Sequence, residues 1–232
     1  MIVGDLKPLE EIISAIKTYK KVLVLGCGSC VTVCLSGGER EAKQLSHELA
    51  QVRHYQNAPP KFEVDSILRQ CERDLVIEYQ NIPEGTDAVL SLACGAGVQT
   101  LADALEPLPV IPALNTTFLG ASDKAGIWAE KCKGCGDCIL IHTGGICPVA
   151  RCAKSLFNGP CGGSQGGYCE VGQGIPCAWT QIVARLKKMD KLHSYEEIRT
   201  SKDWRPGGAE GVRKRVRTGL GDGSNKNQTD NS

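Results

Sequence analysis

The apolar residues of the first 114 positions follow two patterns. Between residues 6 and 19 they recur every three or four positions, which predicts an amphipathic helix with Leu9, Ile12, Ile13 and Ile16 on one face. Residues 21–26 instead form a short continuous apolar run that enters a glycine-rich turn, as is typical of a strand buried on both faces of a parallel sheet. Further strands are predicted at 62–71 (running into a turn), 87–93 and 110–114, and further helices at 39–53, 72–80, 98–105 and 179–188.

This alternation of strands and helices predicts an α/β fold. Right-handed crossovers between the strands give an open parallel sheet with flanking helices. We expect residues 1–120 to form this sheet domain and residues 121–200 to form a cysteine-rich, loop-dominated metal-binding region. Residues 115–130, which include Trp128, are interpreted as a connection between the two. Residues 201–232 are predicted to be a basic and polar tail, disordered after Gly219.

Cysteines follow three of the predicted strands. Because the carboxyl ends of parallel strands lie along one edge of a sheet, Cys27, Cys71 and Cys94 are expected to line one crevice. Cys30 lies one turn beyond Cys27, and Cys34 is four residues further on. Four of these five cysteines would suffice for an iron-sulfur cluster or a zinc ion. In the alternative reading, Cys34, Cys71 and Cys94 are small hydrophobic core residues.

The remaining eight cysteines fall between residues 132 and 177. Cys132, Cys135 and Cys138 are separated by two residues each, so one tight loop can turn three sulfurs toward a common centre, and glycines at 134 and 136 let its backbone wrap closely. This spacing is typical of a four-iron, four-sulfur cluster. The other cysteines of the region are Cys147, Cys152, Cys161, Cys169 and Cys177.

Two other interpretations of this region are a zinc ribbon and a disulfide framework. Pairs of CxxC cysteines also bind zinc in ribbon folds, but a third cysteine at the same spacing is superfluous there. A disulfide framework is typical of small secreted chains, and residues 1–7 lack the pattern of a signal peptide. Iron-sulfur chemistry is therefore favoured, with zinc as the alternative metal.

Composition, charge and local motifs bear on which partners and ligands are expected. The chain has 232 residues and a formal net charge of +1, which does not favour nucleic acid or a membrane surface as a partner. Because no apolar run is long enough to span a membrane, we expect a cytoplasmic protein. The turn at 26–28 lacks the third glycine of a dinucleotide fingerprint, since Val31 stands there. The basic run 212–217 is either solvated or docks an acidic surface, and the sequence has no convincing nucleophile and base pair.

Four segments together resemble the MetV family, the small iron-sulfur subunits of bacterial methylenetetrahydrofolate reductases, and the cysteine-rich C-terminal domain attached to some of those reductases. The resemblance covers about residues 6 to 200. Its most specific piece is Asn158-Gly159-Pro160-Cys161-Gly162-Gly163. The other pieces are residues 22–34 with three cysteines, Leu92-Ala93-Cys94-Gly95, and the Cys132, Cys135 and Cys138 triplet.

The resemblance implies a non-catalytic electron-transfer subunit of an oxidoreductase complex. Such a chain relays electrons between ferredoxin, or a larger redox assembly, and the flavin (FMN or FAD) of a separate MetF-type barrel subunit, which reduces methylenetetrahydrofolate to methyltetrahydrofolate. It also implies two four-iron clusters. One would use Cys27, Cys30 and Cys94 with Cys34 or Cys71. The other would use Cys132, Cys135 and Cys138 with Cys147 or Cys177, leaving four cysteines for a further cluster or a zinc ion.

Three rival functions have different signatures. A zinc-stabilised anchoring subunit would be colourless. A methyl-transfer accessory protein would favour zinc at Cys27, Cys30 and Cys94. A nucleic-acid-binding zinc ribbon would depend on the basic run 212–217, and the near-neutral net charge argues against it.

Overall fold

The computed structural model describes residues 1–52, 59–198, 200–208 and 211–214. The strands are β1 (Ile2–Leu6), β2 (Lys21–Cys27), β3 (Lys61–Ile67), β4 (Ala88–Leu92), β5 (Val110–Pro112), β6 (Leu114–Lys124) and β7 (Ile127–Cys132). The helices are α1 (Leu9–Ile16), α2 (Cys30–Val33), α3 (Glu39–Gln51), α4 (Arg73–Ile77), α5 (Gly95–Leu105), α6 (Pro148–Arg151), α7 (Ala178–Lys188) and α8 (His193–Glu196). Leu140–His142 and Arg205–Gly207 form short 3₁₀ helices.

A four-stranded parallel sheet in the order β3-β2-β4-β5 confirms the predicted α/β class. Its two central strands are buried along almost their whole length, as their continuous apolar runs predict. One face packs against α1 and α3 through residues such as Ile12, Ile16 and Leu45. The other face packs against α4 and α5 through Val76 and Leu101. Helices therefore cover both faces of the sheet.

The order of the strands sets the position of the candidate site. The chain leaves β2 toward β3 on one side, and β4 and β5 then follow on the other side. Such a reversal opens a crevice between the carboxyl ends of the two central strands, where α/β proteins bind their ligands. Cys27 ends β2, and Cys94 immediately precedes α5 at this edge.

A second sheet, antiparallel and in the order β1-β6-β7, was not predicted. Interpreting residues 115–130 as a connection was wrong, because they belong to the long strands β6 and β7. Most of β6 is exposed, so its sequence lacks the apolar alternation that marks a half-buried strand. Leu6, assigned to the first helix, ends β1, and that helix begins at Leu9. Because β6 passes through residue 120, the predicted domain boundary lies inside a strand; the division into three regions itself stays a prediction.

The cysteine-rich region has a small core of its own. Ile146, Trp179, Ile182 and Leu186 are buried together, with Cys152 and Cys177 packed against them. Helix α7 supplies three of these residues and agrees with the helix predicted at 179–188. Most of the remaining segment is turns and loops, as predicted.

Some predictions fall on residues outside the described part. These are the last residue of the helix predicted at 39–53, the second half of the basic run 212–217, and the tail after Gly219. Among the residues that are described, no helix combines the length and apolar character needed to cross a membrane.

A substitution at Gly37 tests how tightly the loop after α2 is packed against the sheet. A methyl group at this position would collide with the carbonyl oxygen of Leu92, at the end of β4. We expect Gly37→Ala to destabilise the fold by about 1–3 kcal/mol through overpacking. Thermal or denaturant unfolding measures this loss.

Gly95→Ala is the matched control. A methyl group on Gly95 would have Thr116 Oγ1 as its nearest contact, at 3.6 Å, and would lie in the first turn of α5. We expect its stability to equal or slightly exceed that of the parent chain. Equal loss in both variants would contradict the packing argument.

Candidate metal centres

Four cysteines meet at the carboxyl edge of the parallel sheet, and we call them the sheet-edge set: Cys27, Cys30, Cys71 and Cys94. Burial raises the pKa of the Cys27 thiol, and the negative charges of Cys94 and Cys30 raise it further. Burial likewise raises the pKa of Cys71, followed by the charges of Cys94 and Cys27. Because these charges act on one another, the thiols share one crevice, as the strand-end pattern predicted. A positive metal centre there would relieve their repulsion.

Gln70 fixes this crevice. Its side chain is fully buried, and Nε2 donates to the carbonyl oxygens of Leu25 (3.0 Å) and Gly26 (2.9 Å) at the end of β2. Its Oε1 accepts a hydrogen bond of 2.6 Å from Ser91 in β4. The residue before Cys71 is thus tied to both central strands. Sequence reasoning missed Gln70, whose only signal is a polar residue next to a candidate ligand.

Cys34 lies in the same hydrophobic cluster as Cys27, but its sulfur makes polar contacts of its own. Its sulfur lies 3.1 Å from Ser36 Oγ and 3.6 Å from the carbonyl oxygen of Val31. The side chain is buried in a hydrophobic cluster that includes Val3 and Leu114. Of the two alternatives for the fourth ligand, the structure therefore favours Cys71 over Cys34.

A second group, the triplet set, comprises Cys132, Cys135, Cys138 and Cys147. Cys132 ends β7, and the loop that follows turns through Gly134 (φ 62°) and Gly136 (φ 82°), in the left-handed region that favours glycine. Cys147 directly precedes α6, and α6 packs against β7. This packing brings Cys147 toward the strand that carries Cys132.

The third group, the cavity set, lines a small cavity of about 50 Å³ and comprises Cys152, Cys161, Cys169 and Cys177. Because Cys177 belongs here, Cys147 is the better candidate for the fourth ligand of the triplet set. The sheet-edge and cavity sets account for eight cysteines, the triplet set is a third candidate set of four, and Cys34 is the remaining cysteine. All thirteen lie in described residues, and none forms a disulfide bond.

Two features of the cavity set favour thiolates. Burial raises the pKa of Cys177, but hydrogen bonds from the hydroxyl and N–H groups of Thr180, from the Trp179 N–H and from the Ser164 hydroxyl outweigh it, so the pKa is lowered. Cys177 also stands at the N-terminus of α7, whose dipole stabilises negative charge. Glu170 also lines the cavity; it pairs with Lys154 and accepts a hydrogen bond of 3.5 Å from the Cys161 thiol.

One hydrogen-bond motif recurs in all three sets. The N–H two residues after a cysteine donates to its sulfur: Ser29 to Cys27, Gly134 to Cys132 at 3.3 Å, and Gly163 to Cys161 at 3.5 Å. Such bonds stabilise thiolates and are among the contacts that tune iron-sulfur clusters. The short spacing Cys-x-Gly or Cys-x-Ser is the sequence signal for this motif.

The spacing of the thiols bears on which metal fits. Within the described ranges, no three His, Cys, Asp or Glu side chains are close enough to hold one metal ion. A tetrahedral zinc site, with Zn–S bonds of about 2.3 Å, needs sulfurs roughly 4 Å apart. A four-iron cluster spreads its ligands further, because each thiolate binds a different iron atom. In donor chemistry, cysteine sulfurs that accept hydrogen bonds from N–H groups are suited to an iron-sulfur cluster.

Comparison with known families gives one match. Residues 111–205 match a family model described as "Methylene-tetrahydrofolate reductase C terminal". This part of the chain is similar to the C-terminal region of methylenetetrahydrofolate reductases. The match contains the triplet and cavity sets but covers less than half of the chain, and the sheet-edge set lies outside it. No curated protein and no solved structure matches the chain.

The geometry predicts different roles for Cys71 and Cys34. We expect Cys71→Ser to lose the metal of the sheet-edge set, because it removes one of four converging thiols. Cys34→Ser, a buried thiol outside that set, is expected to keep the full metal content. Iron and zinc analysis of both variants, prepared anaerobically, checks this. Loss of metal in Cys34→Ser with retention in Cys71→Ser would reverse the assignment.

The fourth ligand of the triplet set can be identified in the same way. In a chain whose Cys132, Cys135 and Cys138 are all replaced by Ser, we expect Cys147→Ser to cause no further loss of metal. Cys177→Ser in that background is expected to remove the metal of the cavity set as well. The opposite pattern, measured by metal analysis, would assign Cys177 to the triplet set.

Proposed function

We propose that this chain is an iron-sulfur electron-transfer subunit of a methylenetetrahydrofolate reductase complex. It relays electrons between ferredoxin, or another redox module, and the flavin of a MetF-type partner that reduces methylenetetrahydrofolate to methyltetrahydrofolate. The observation that carries the proposal is the grouping of four cysteines at the sheet edge and of four more around one cavity, in a chain whose cysteine-rich part matches a reductase family model.

The chain's own groups suit this role. The thiolates bind iron, and the N–H donors of Ser29, Gly134 and Gly163 stabilise negative charge on sulfur. When bound, a four-iron cluster supplies reversible one-electron chemistry, and a flavin stores two electrons delivered singly. The sequence has no convincing nucleophile and base pair, so hydride transfer to the folate is assigned to the partner.

The sheet-edge and triplet sets are proposed to hold four-iron clusters. The cavity set, with its lowered Cys177 pKa, is proposed to hold either a further cluster or a zinc ion. The low pKa favours the deprotonated ligand that either metal needs.

Electron transfer to a flavin tests the proposal directly. The chain, reduced anaerobically with dithionite and freed of excess reductant, is mixed with a co-expressed MetF-type flavoprotein of the same organism. We expect the flavin absorbance to bleach as the visible absorbance of the chain returns to its oxidised form.

The control separates transfer from mere binding. Cys34→Ser is expected to bleach the flavin as the parent chain does, whereas Cys71→Ser is expected to transfer fewer electrons per chain. A reduced chain that forms the complex but leaves the flavin oxidised would contradict the relay.

A further inference from the structure

The chain after α8 returns to the cysteine loop of the triplet set. We call residues 201–208 and 211–214 the strap. The backbone N–H of Asp203 donates to Asp137 Oδ2 at 3.1 Å, and Arg213 Nη1 donates to the Gly134 carbonyl oxygen at 2.7 Å. Lys202 Nζ donates to the carbonyl oxygen of Asp137 and lies 3.7 Å from its carboxylate. The strap therefore binds loop residues that lie between the ligands.

The backbone of the strap also packs closely against the backbone of the triplet loop. A Cβ atom on Gly136 would lie 2.5 Å from Pro206 Cβ, and one on Gly207 would lie 3.0 Å from the Cys135 carbonyl oxygen. Side chains are therefore excluded on both surfaces, and backbone meets backbone. Such close contact is typical of a docked segment, and it lies at the start of the stretch 201–232 that was predicted to be a basic and polar tail.

Lys202 is the most unusual residue of the strap. Its side chain is only 1% exposed, although a buried ammonium group is costly unless it is paired. Besides Asp137, it faces the ring of Trp204 at 5.1 Å, and Trp204 packs edge-to-face on Phe157 at 5.6 Å. A positive charge is thus held at a fixed place beside the loop that carries Cys135 and Cys138.

We propose that the strap is a positioning element for the triplet set: it holds the loop in its ligating shape, and the charge of Lys202 favours the reduced state of a centre bound there. Reduction adds one negative charge to a cluster, so a fixed nearby cation stabilises the reduced form. Arg213 adds a second cation, which is bound to the Gly134 carbonyl oxygen of the same loop. The redox part rests on the proposed function, whereas the positioning part does not.

Hydrogen exchange of the metal-free chain tests positioning alone. In Lys202→Met, we expect amides of residues 133–138 to exchange roughly tenfold faster or more, the effect of losing a charge-assisted hydrogen bond. Gly207→Ala keeps both cations but presses on the Cys135 carbonyl, and is expected to raise exchange in the same residues. Lys187→Met, at the end of α7, is the matched control with parent-like exchange.

The redox arm uses the reconstituted chain in an anaerobic titration followed by EPR. Lys202→Met is expected to lower the ratio of reduced to oxidised triplet centre about tenfold at fixed potential, a shift of about 59 mV for one electron. Gly207→Ala, which keeps both cations, is expected to shift the reduction potential less. Unchanged exchange in both strap variants would overturn positioning, and an unchanged potential in Lys202→Met would overturn its redox effect.

A chain that binds no iron would defeat the proposed function and the redox arm together. The exchange experiment would still decide whether the strap positions the loop, since it needs no metal. The two failures are therefore distinguishable.

Discussion

Parallel pairing of β2, β3 and β4 is the constraint on which the N-terminal half depends. Because the three strands end at one edge, the cysteines that follow them meet without any long loop to bring them together. The side chain of Gln70 bridges the ends of β2 and β4 and fixes Cys71 beside Cys27 and Cys94. The rigid sheet therefore preorganises this site. The free energy of ordering the ligands is offset when the sheet folds.

The cysteine-rich half has a different physical basis. Its core is small, its loops carry eight candidate ligands, and much of its order comes from hydrogen bonds to loop carbonyls and from the strap. A metal bound in such a region would stabilise the ordered loops, since its ligands come together only when those loops are ordered. Burial of Lys202 against Asp137 and Trp204 provides part of that order without metal.

Much of the parallel sheet and of the sheet-edge site was predictable, because continuous apolar runs ended by Cys and Gly report both strand type and strand end. The antiparallel sheet was not predictable, because β6 is largely exposed and its sequence does not alternate between apolar and polar residues. The choices between Cys34 and Cys71, and between Cys147 and Cys177, depended on packing that spacing does not encode. Gln70 and Lys202 were missed because a single polar residue has no periodic pattern, and its burial follows only from tertiary contacts.

The proposed electron-transfer function requires that these cysteines hold iron-sulfur clusters. Iron, zinc and sulfide analysis of the anaerobically purified chain, with EPR of the dithionite-reduced form, tests it most directly. We expect a brown protein with about eight or more irons per chain, matched by sulfide, and EPR signals of reduced four-iron clusters. A colourless protein that contains zinc alone and gives no EPR signal would contradict it, leaving a zinc-stabilised anchoring subunit.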